Sequence, residues 1–308
     1  MKRKVPFIPS FPLSLPSSFT PLFIALDTES TGISCYSDHV VELAAVAFSP
    51  FLFNNRNNNK TKYSKGKEKS KLSFLPTFCS RIKTERPIHY RATQVHGIKN
   101  KDLINEKDFT QVYMKWSKWI LENKQFPNQP VVMIAHNGRK FDFPILWREM
   151  NRSQFNIETE WKERLNVTHI IDSLEYFRKS FSTTPEDFKL TTLYQTKFGK
   201  PLEHAHSALY DTVALTELLT CEKEPSSWST HLLNETYGIT DFSTVWNRFL
   251  ELTKERPLED VETRLSIDHY CKETYYSLSE SNLQCRTCWN IYSSYFPTHT
   301  CVKNIKGN

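Results

Sequence analysis

The sequence predicts an α/β fold, a mixed sheet covered by helices, and three observations carry that prediction. Three short apolar runs without helical period follow one another in the first third of the chain. Beyond residue 109, stretches of helical period alternate with apolar runs of strand length. The 308 residues exceed a typical domain but fall short of two, so one main domain over residues 21–225 with an extension over 226–308 is expected.

In chain order, residues 1–20 read as a flexible tail: Lys2, Arg3 and Lys4 are followed by prolines at 6, 9, 12 and 16, a density that breaks the helix of a targeting segment. Leu22 to Leu26 is a buried-strand run that stops at Asp27, and Val40 to Phe53 is long enough to pair back onto it. Asn54 to Lys71 has the composition of a surface loop inserted in a hairpin, and Leu72 to Ile82 supplies the third strand. Phe109, Val112, Trp116, Trp119 and Ile120 recur at helical spacing and predict a helix whose aromatic stripe enters the core. Val131 to Ala135 is the next strand, ended by His136-Asn137-Gly138, with a helix expected from Phe143. A strand over Thr168 to Ile171, a helix from Asp172 to Lys179, and helices over Leu190 to Phe198 and Ala208 to Thr220 close the domain. Beyond Cys221 the pattern weakens, apart from a helical stretch near Phe242 to Lys254.

Composition limits function. Hydrophobic residues make up 39% and charged residues 24%, and no run approaches the ~20 apolar residues that span a bilayer, which argues against a membrane-embedded protein. Seven cysteines, mostly far apart, do not form a disulfide framework, so an intracellular location, nuclear or cytoplasmic, is expected. The net charge of +6 is concentrated at Lys60, Lys62, Lys65, Lys67, Lys69 and Lys71, which fits either a polyanion contact or a solvated loop.

The chemistry lies in four acids. Asp27 and Glu29 stand at i and i+2 at a strand end and share a face of the sheet; they form either a divalent-cation site or a solvent-facing pair. Asp142 precedes the apolar run Phe143 to Leu146 and reads as a helix cap or a ligand. Asp211 falls on the apolar stripe of its helix, where a carboxylate is costly without a cation, yet no Lys or Arg occurs from Glu203 to Cys221. His206, five residues earlier, enters the same helix.

Together these residues resemble a known family. FIALDTESTG with HVVELAAVAF, IAHNGRKFDFPIL and AHSALYDTVAL resemble the three motifs of the DEDDh (DnaQ-like) 3′→5′ exonucleases, in order and spacing, and QVHGI matches a further family segment. The spacing from His136 to Asp142 is most similar to the three-prime repair exonuclease branch; Ser30 departs from the common Thr or Ala. The resemblance implies an RNase H-like fold with a five-stranded mixed sheet flanked by helices. It implies two Mg²⁺ or Mn²⁺ ions on Asp27, Glu29, Asp142 and Asp211, with His206 as general base. Ser30, Thr31 and Gly32 would lie along the terminal nucleotide, Val95 and His96 against its base or sugar, and Asn137 would orient the second motif. The implied partners are DNA 3′ ends, single-stranded or frayed, and a second copy of the chain, since the repair branch tends to dimerise. An exoribonuclease is the alternative within the fold, and a non-catalytic nucleic-acid-binding module the alternative outside enzymes.

Near the C-terminus, Cys285, Cys288, His299 and Cys301 approach the spacing of a structural Zn²⁺ site, with reduced thiols or a packed C-x-x-C turn as the other reading.

Overall fold

The computed structural model describes residues 20–50, 74–181, 185–221, 225–233 and 239–255. The basic insert over 54–71 and the Cys285, Cys288, His299 and Cys301 cluster lie outside these residues. The sheet is built on β1 (Leu22–Ser30), an apolar run whose alternate residues enter two different cores. It pairs antiparallel with β2 (Val40–Phe48) on one side and parallel with β4 (Val131–Ala135) on the other. β3 (Thr77–Arg81) extends the antiparallel side, and β5 (Val167–Asp172) the parallel side. A short β6 (Ile239–Asp241) closes the far edge antiparallel to β5, giving the order β3-β2-β1-β4-β5-β6.

The expected five strands are thus joined by a sixth. β6 contributes three half-buried or exposed residues and too little apolar periodicity to signal a strand. It leads into α8 (Phe242–Glu255), whose Phe242 and Trp246 are buried against Trp147, the Trp147 and Trp246 rings meeting edge-on at 5.4 Å. Phe242 and Trp246, beyond the expected boundary at 225, therefore pack into the same core as the sheet.

One face of the sheet carries Leu22, Ile24, Leu43, Ala45 and Met133. It is covered by α2 (Phe109–Glu122), α3 (Asp142–Arg152) and α8, with Trp161 from a π-helical turn, Glu158–Arg164. The aromatic stripe expected in α2 is core: Phe109, Val112, Trp116 and Ile120 are buried, and Trp119 packs on Phe78. The other face carries Phe23, Ala25, Val46, Val132 and Ile134. Its cover is α4 (Ser173–Ser180), α5 (Leu190–Phe198), α6 (Ala208–Leu219) and Leu232 of α7 (Pro225–Leu232). α1 (Tyr90–His96) was not signalled by the sequence pattern, because this seven-residue helix buries none of its own residues. It starts at the His89 side chain and ends at Gly97, whose φ of 76° is readily adopted only by glycine.

Candidate active site

β4 pairs with β1 only as far as Ala25, so the second half of β1 runs on past the end of its parallel neighbour. Asp27 and Glu29 sit on this overhang. They follow Phe23 and Ala25 on the face covered by α6, and α6 crosses β1 and β2 with Asp211 in its first turn. As a result Asp27, Glu29 and Asp211 each offer a carboxylate oxygen within 4.8 Å of the others. A register shift between Glu29 and Ser30 then turns the strand into the Thr31–Gly32 loop.

Asp142 comes from the other side. It is the first residue of α3, after the turn that ends β4, and its Oδ1 accepts from the Thr28 hydroxyl at 2.8 Å and the Thr28 amide at 3.1 Å. It stands outside the trio of closest oxygens, but its charge acts on both Asp27 and Glu29. Thr28, a residue the motif reading passed over, therefore ties β1 to α3. The expected result of Thr28→Val, which keeps the shape and the backbone donor, is a turnover loss of about tenfold with little change in substrate affinity. That is the size of one hydrogen bond to a charged acceptor, ~1.5 kcal/mol, and steady-state kinetics checks it.

Burial and crowding push every acid of the group upward. Asp27 is raised well above the usual carboxylate range by burial first, then by Asp142, Glu29, Asp211 and Glu42. Glu29 is pushed up to about 9 by burial and by Asp211, Glu42 and Asp142. Asp142 is pushed up to about 7 by burial, against the opposing pull of the Thr28 bonds. Asp211 is raised by burial despite the His206 amide. No lysine or arginine forms an ion pair with Asp27, Glu29 or Asp211 among the described residues.

A sharper observation concerns Asp211: its Oδ2 accepts the His206 amide at 2.9 Å, while its Oδ1 is buried and has no hydrogen-bond partner. A buried carboxylate oxygen without a donor is expensive, and one divalent cation would satisfy it and relieve the repulsion of the other acids at once. The donor set, all hard carboxylate oxygens, suits Mg²⁺ or Mn²⁺.

The shifts fix a pH dependence. A carboxyl whose folded value lies above its unfolded one stabilises the fold below the unfolded value and loses that contribution as pH rises through the folded value. Here the window runs from the ordinary carboxylate range to about 7 for Asp142 and about 9 for Glu29. Metal-free protein should melt at progressively lower temperature from pH 5 to pH 9, and Mn²⁺ should raise the melting temperature more at the alkaline end. Thermal unfolding with and without chelator measures both.

His206 is exposed in the turn just before α6, with a left-handed φ of 66°; His204 nearby has a φ of 55°. Left-handed residues other than glycine are strained and cluster at functional sites. The Asp211 carboxylate holds the His206 backbone, and the His206 side chain lies near enough for its charge to act on Asp211 and His96.

The remaining candidates fall into two groups. His96 lies half-buried at the end of α1, its Nε2 3.2 Å from the Ser30 carbonyl oxygen. Burial holds its imidazole below the ordinary value, the Ser30 carbonyl opposing and Arg81 and His206 adding to the fall. Val95 beside it is 54% exposed. The Ser30 hydroxyl donates to the Gly32 carbonyl. Thr31 does not present its side chain to the cleft: it is wholly buried, donating to Asp38 Oδ1 at 2.9 Å and accepting from the His39 amide at 3.0 Å. Gly32 is required by the same acid, since a Cβ there would lie 2.5 Å from Asp38 Oδ2. Asn137 occupies a left-handed position, φ 59°, in the turn between β4 and α3, a conformation that asparagine tolerates. Sequence reasoning missed Glu42 and Asp38 as well as Thr28. Glu42 was legible as the single charge in the apolar run Val40 to Phe48; nothing marked Asp38.

Where β1 outruns its parallel neighbour, the sheet thus carries a carboxylate cluster of the kind a divalent cation can occupy. Residues 24–219 match the family model for the RNase_T exonucleases, about two thirds of the chain, and the protein belongs to this exonuclease family. Among curated proteins, the chain is 26% identical over 137 residues to the chloroplastic/mitochondrial exonuclease DPD1 of Arabidopsis thaliana, spanning 40% of this chain and 39% of the relative. It is 22% identical over 207 residues to three prime repair exonuclease 2 of Mus musculus, spanning 63% of this chain and 80% of that one. The match to the PolC-type DNA polymerase III of Bacillus subtilis, 27% identical, covers 64% of this chain but 11% of the polymerase. The chain thus spans well under half the length of two of these three relatives. Among solved structures, the nuclease domain of 3′hExo bound to rAMP superposes with a TM-score of 0.49 at 14% identity, over 65% of this chain and 90% of that domain. E. coli exonuclease I in complex with dT13 also gives 0.49, at 15% identity, over 68% of this chain and 43% of that one. No described helix is long and apolar enough to cross a membrane.

Proposed function

We propose that the chain is a divalent-metal-dependent 3′→5′ exonuclease that hydrolyses the terminal phosphodiester of DNA and releases nucleoside monophosphates. The observation that carries this reading is the buried, partnerless Oδ1 of Asp211, whose carboxylate clusters with those of Asp27 and Glu29 with no cationic side chain paired to them among the described residues. Asp27, Glu29, Asp142 and Asp211 would hold two Mg²⁺ or Mn²⁺ ions, which supply charge stabilisation to the phosphoryl and departing 3′ oxygens.

The chain's own residues do the rest. His206 takes the proton of the attacking water at an imidazole nitrogen, and Asp211 fixes the backbone that presents it. Thr28 holds one Asp142 oxygen, leaving the other for a cation. Ser30 and Gly32 border the terminal nucleotide, with exposed Val95 against its base and His96 beside its sugar, while Asn137 sets the turn that carries the second motif.

DNA is favoured over RNA by the repair-branch spacing from His136 to Asp142. Matched single-stranded DNA and RNA oligonucleotides, incubated with the protein and Mg²⁺, test the choice. Faster shortening of DNA is expected; faster shortening of RNA would make the protein an exoribonuclease, the 2′-hydroxyl then being a required contact.

A further inference from the structure

Across the face that carries the site, three charged residues lie in one row: Glu29 on β1 is opposite Glu42 on β2, and Glu42 is opposite Arg81 on β3. Glu29 belongs to the acidic cluster. Glu42 is buried, 7% exposed, and both of its oxygens are engaged: Oε1 lies 3.6 Å from Arg81 Nε, and Oε2 accepts the Ala208 amide at 3.2 Å.

Ala208 is the first residue of α6 and is fully buried, so its amide cannot turn to water. Ser207, at the position whose side chain usually accepts from the first-turn amides, makes no such bond. A carboxylate from a neighbouring strand therefore does the work of a local cap, and its charge also suits the positive end of the helix. Three residues further on, Asp211 turns its Oδ2 back to the His206 amide. The first turn of α6, with Asp211 on it and His206 just before it, is thus tied to β2 by a buried hydrogen bond in addition to its packing on the sheet.

We propose that Glu42 is a positioning residue of the active site: by capping α6 from β2, it sets Asp211 and His206 against Asp27 and Glu29. The proposal rests on the exonuclease reading above for its catalytic consequence, and on geometry alone for the cap. Two substitutions separate the hydrogen bond from the charge. Glu42→Gln keeps an oxygen in place without the charge, and Glu42→Met keeps the volume without an acceptor.

The test measures amide exchange in the first turn of α6, calorimetric Mn²⁺ affinity, and kcat and KM on a single-stranded DNA oligonucleotide at saturating Mg²⁺, with thermal melting as a check on the fold. Glu42→Gln is expected to keep exchange and kcat near those of the unaltered protein. Glu42→Met should exchange the Ala208 to Asp211 amides faster and bind Mn²⁺ more weakly. Its kcat should fall by about 10²-fold with KM little changed, the cost of misplacing a reacting group by about 1 Å. Unchanged exchange and kcat in Glu42→Met would overturn the proposal. So would a Glu42→Gln variant as impaired as Glu42→Met, since the charge rather than the cap would then matter. An unaltered protein with no nuclease activity would refute the exonuclease reading alone. In that case the exchange and Mn²⁺ measurements decide for Glu42: both disturbed in Glu42→Met and spared in Glu42→Gln uphold the positioning role, and any other pattern refutes it.

Discussion

Replacing Asp27, Asp142 or Asp211 by asparagine is expected to abolish nucleotide release, with a fall of about 10³-fold or more, because each removes a carboxylate that would hold a catalytic cation worth several kcal/mol in the transition state. The fold should survive, and in metal-free protein it should gain. Asp27 is held well above the usual carboxylate range by burial and by four neighbouring acids, so a neutral isostere removes repulsion rather than a favourable contact. Two signatures are therefore expected together: a higher melting temperature in chelator at pH 8, and loss of the stabilisation that Mn²⁺ gives the unaltered protein. A structural role for these acids would move melting temperature and activity downward in parallel. Asp142→Asn should show the smaller gain in stability, because Thr28 already donates two hydrogen bonds to its Oδ1.

The second large effect belongs to His206. Its replacement should slow turnover by roughly 10²- to 10⁴-fold, the range for a positioned general base. The choice of substitute matters, because φ at this position is 66° and alanine adds backbone strain there. His206→Asn keeps a residue that tolerates the left-handed region and isolates the loss of the imidazole. Metal affinity should change little in either variant, since the bond from His206 to Asp211 is made by the backbone amide and survives any side-chain change. Calorimetric Mn²⁺ titration beside the kinetics checks this; equal losses of affinity and turnover would make His206 a ligand instead.

The acids were legible because each lay against a pattern that explained its neighbours. Asp27 and Glu29 end an apolar strand run, Asp142 heads an apolar helix run, and Asp211 interrupts the buried stripe of α6. Their convergence was legible only through the family resemblance, since periodicity places residues on a face and not against a partner over a hundred residues away. The contacts that arrange them were hidden for the same reason. Thr28 reads as an ordinary strand residue and Glu42 as one charge in an apolar run. Their partners, Asp142 and the Ala208 amide, are 114 and 166 residues distant. Thr31 misled in the other direction: its place in the motif indicates a nucleotide contact, but its hydroxyl is spent on Asp38 and His39. Of the elements that escaped, α1 and β6 share one property: neither buries enough of its own residues to impose a period on the sequence; α7 and the π-helical turn Glu158–Arg164 escaped as well.

The acidic cleft is expected to remove nucleotides from a 3′ end with a divalent cation. A single-stranded DNA oligonucleotide labelled at its 5′ end, incubated with the purified protein in Mg²⁺ and resolved by length over time, tests it most directly. The expected result is a ladder of products shortening one nucleotide at a time, with mononucleotides released from the start and no reaction in chelator. Internal cleavage, release of the labelled 5′ end first, or shortening that persists at full rate without divalent metal would contradict it.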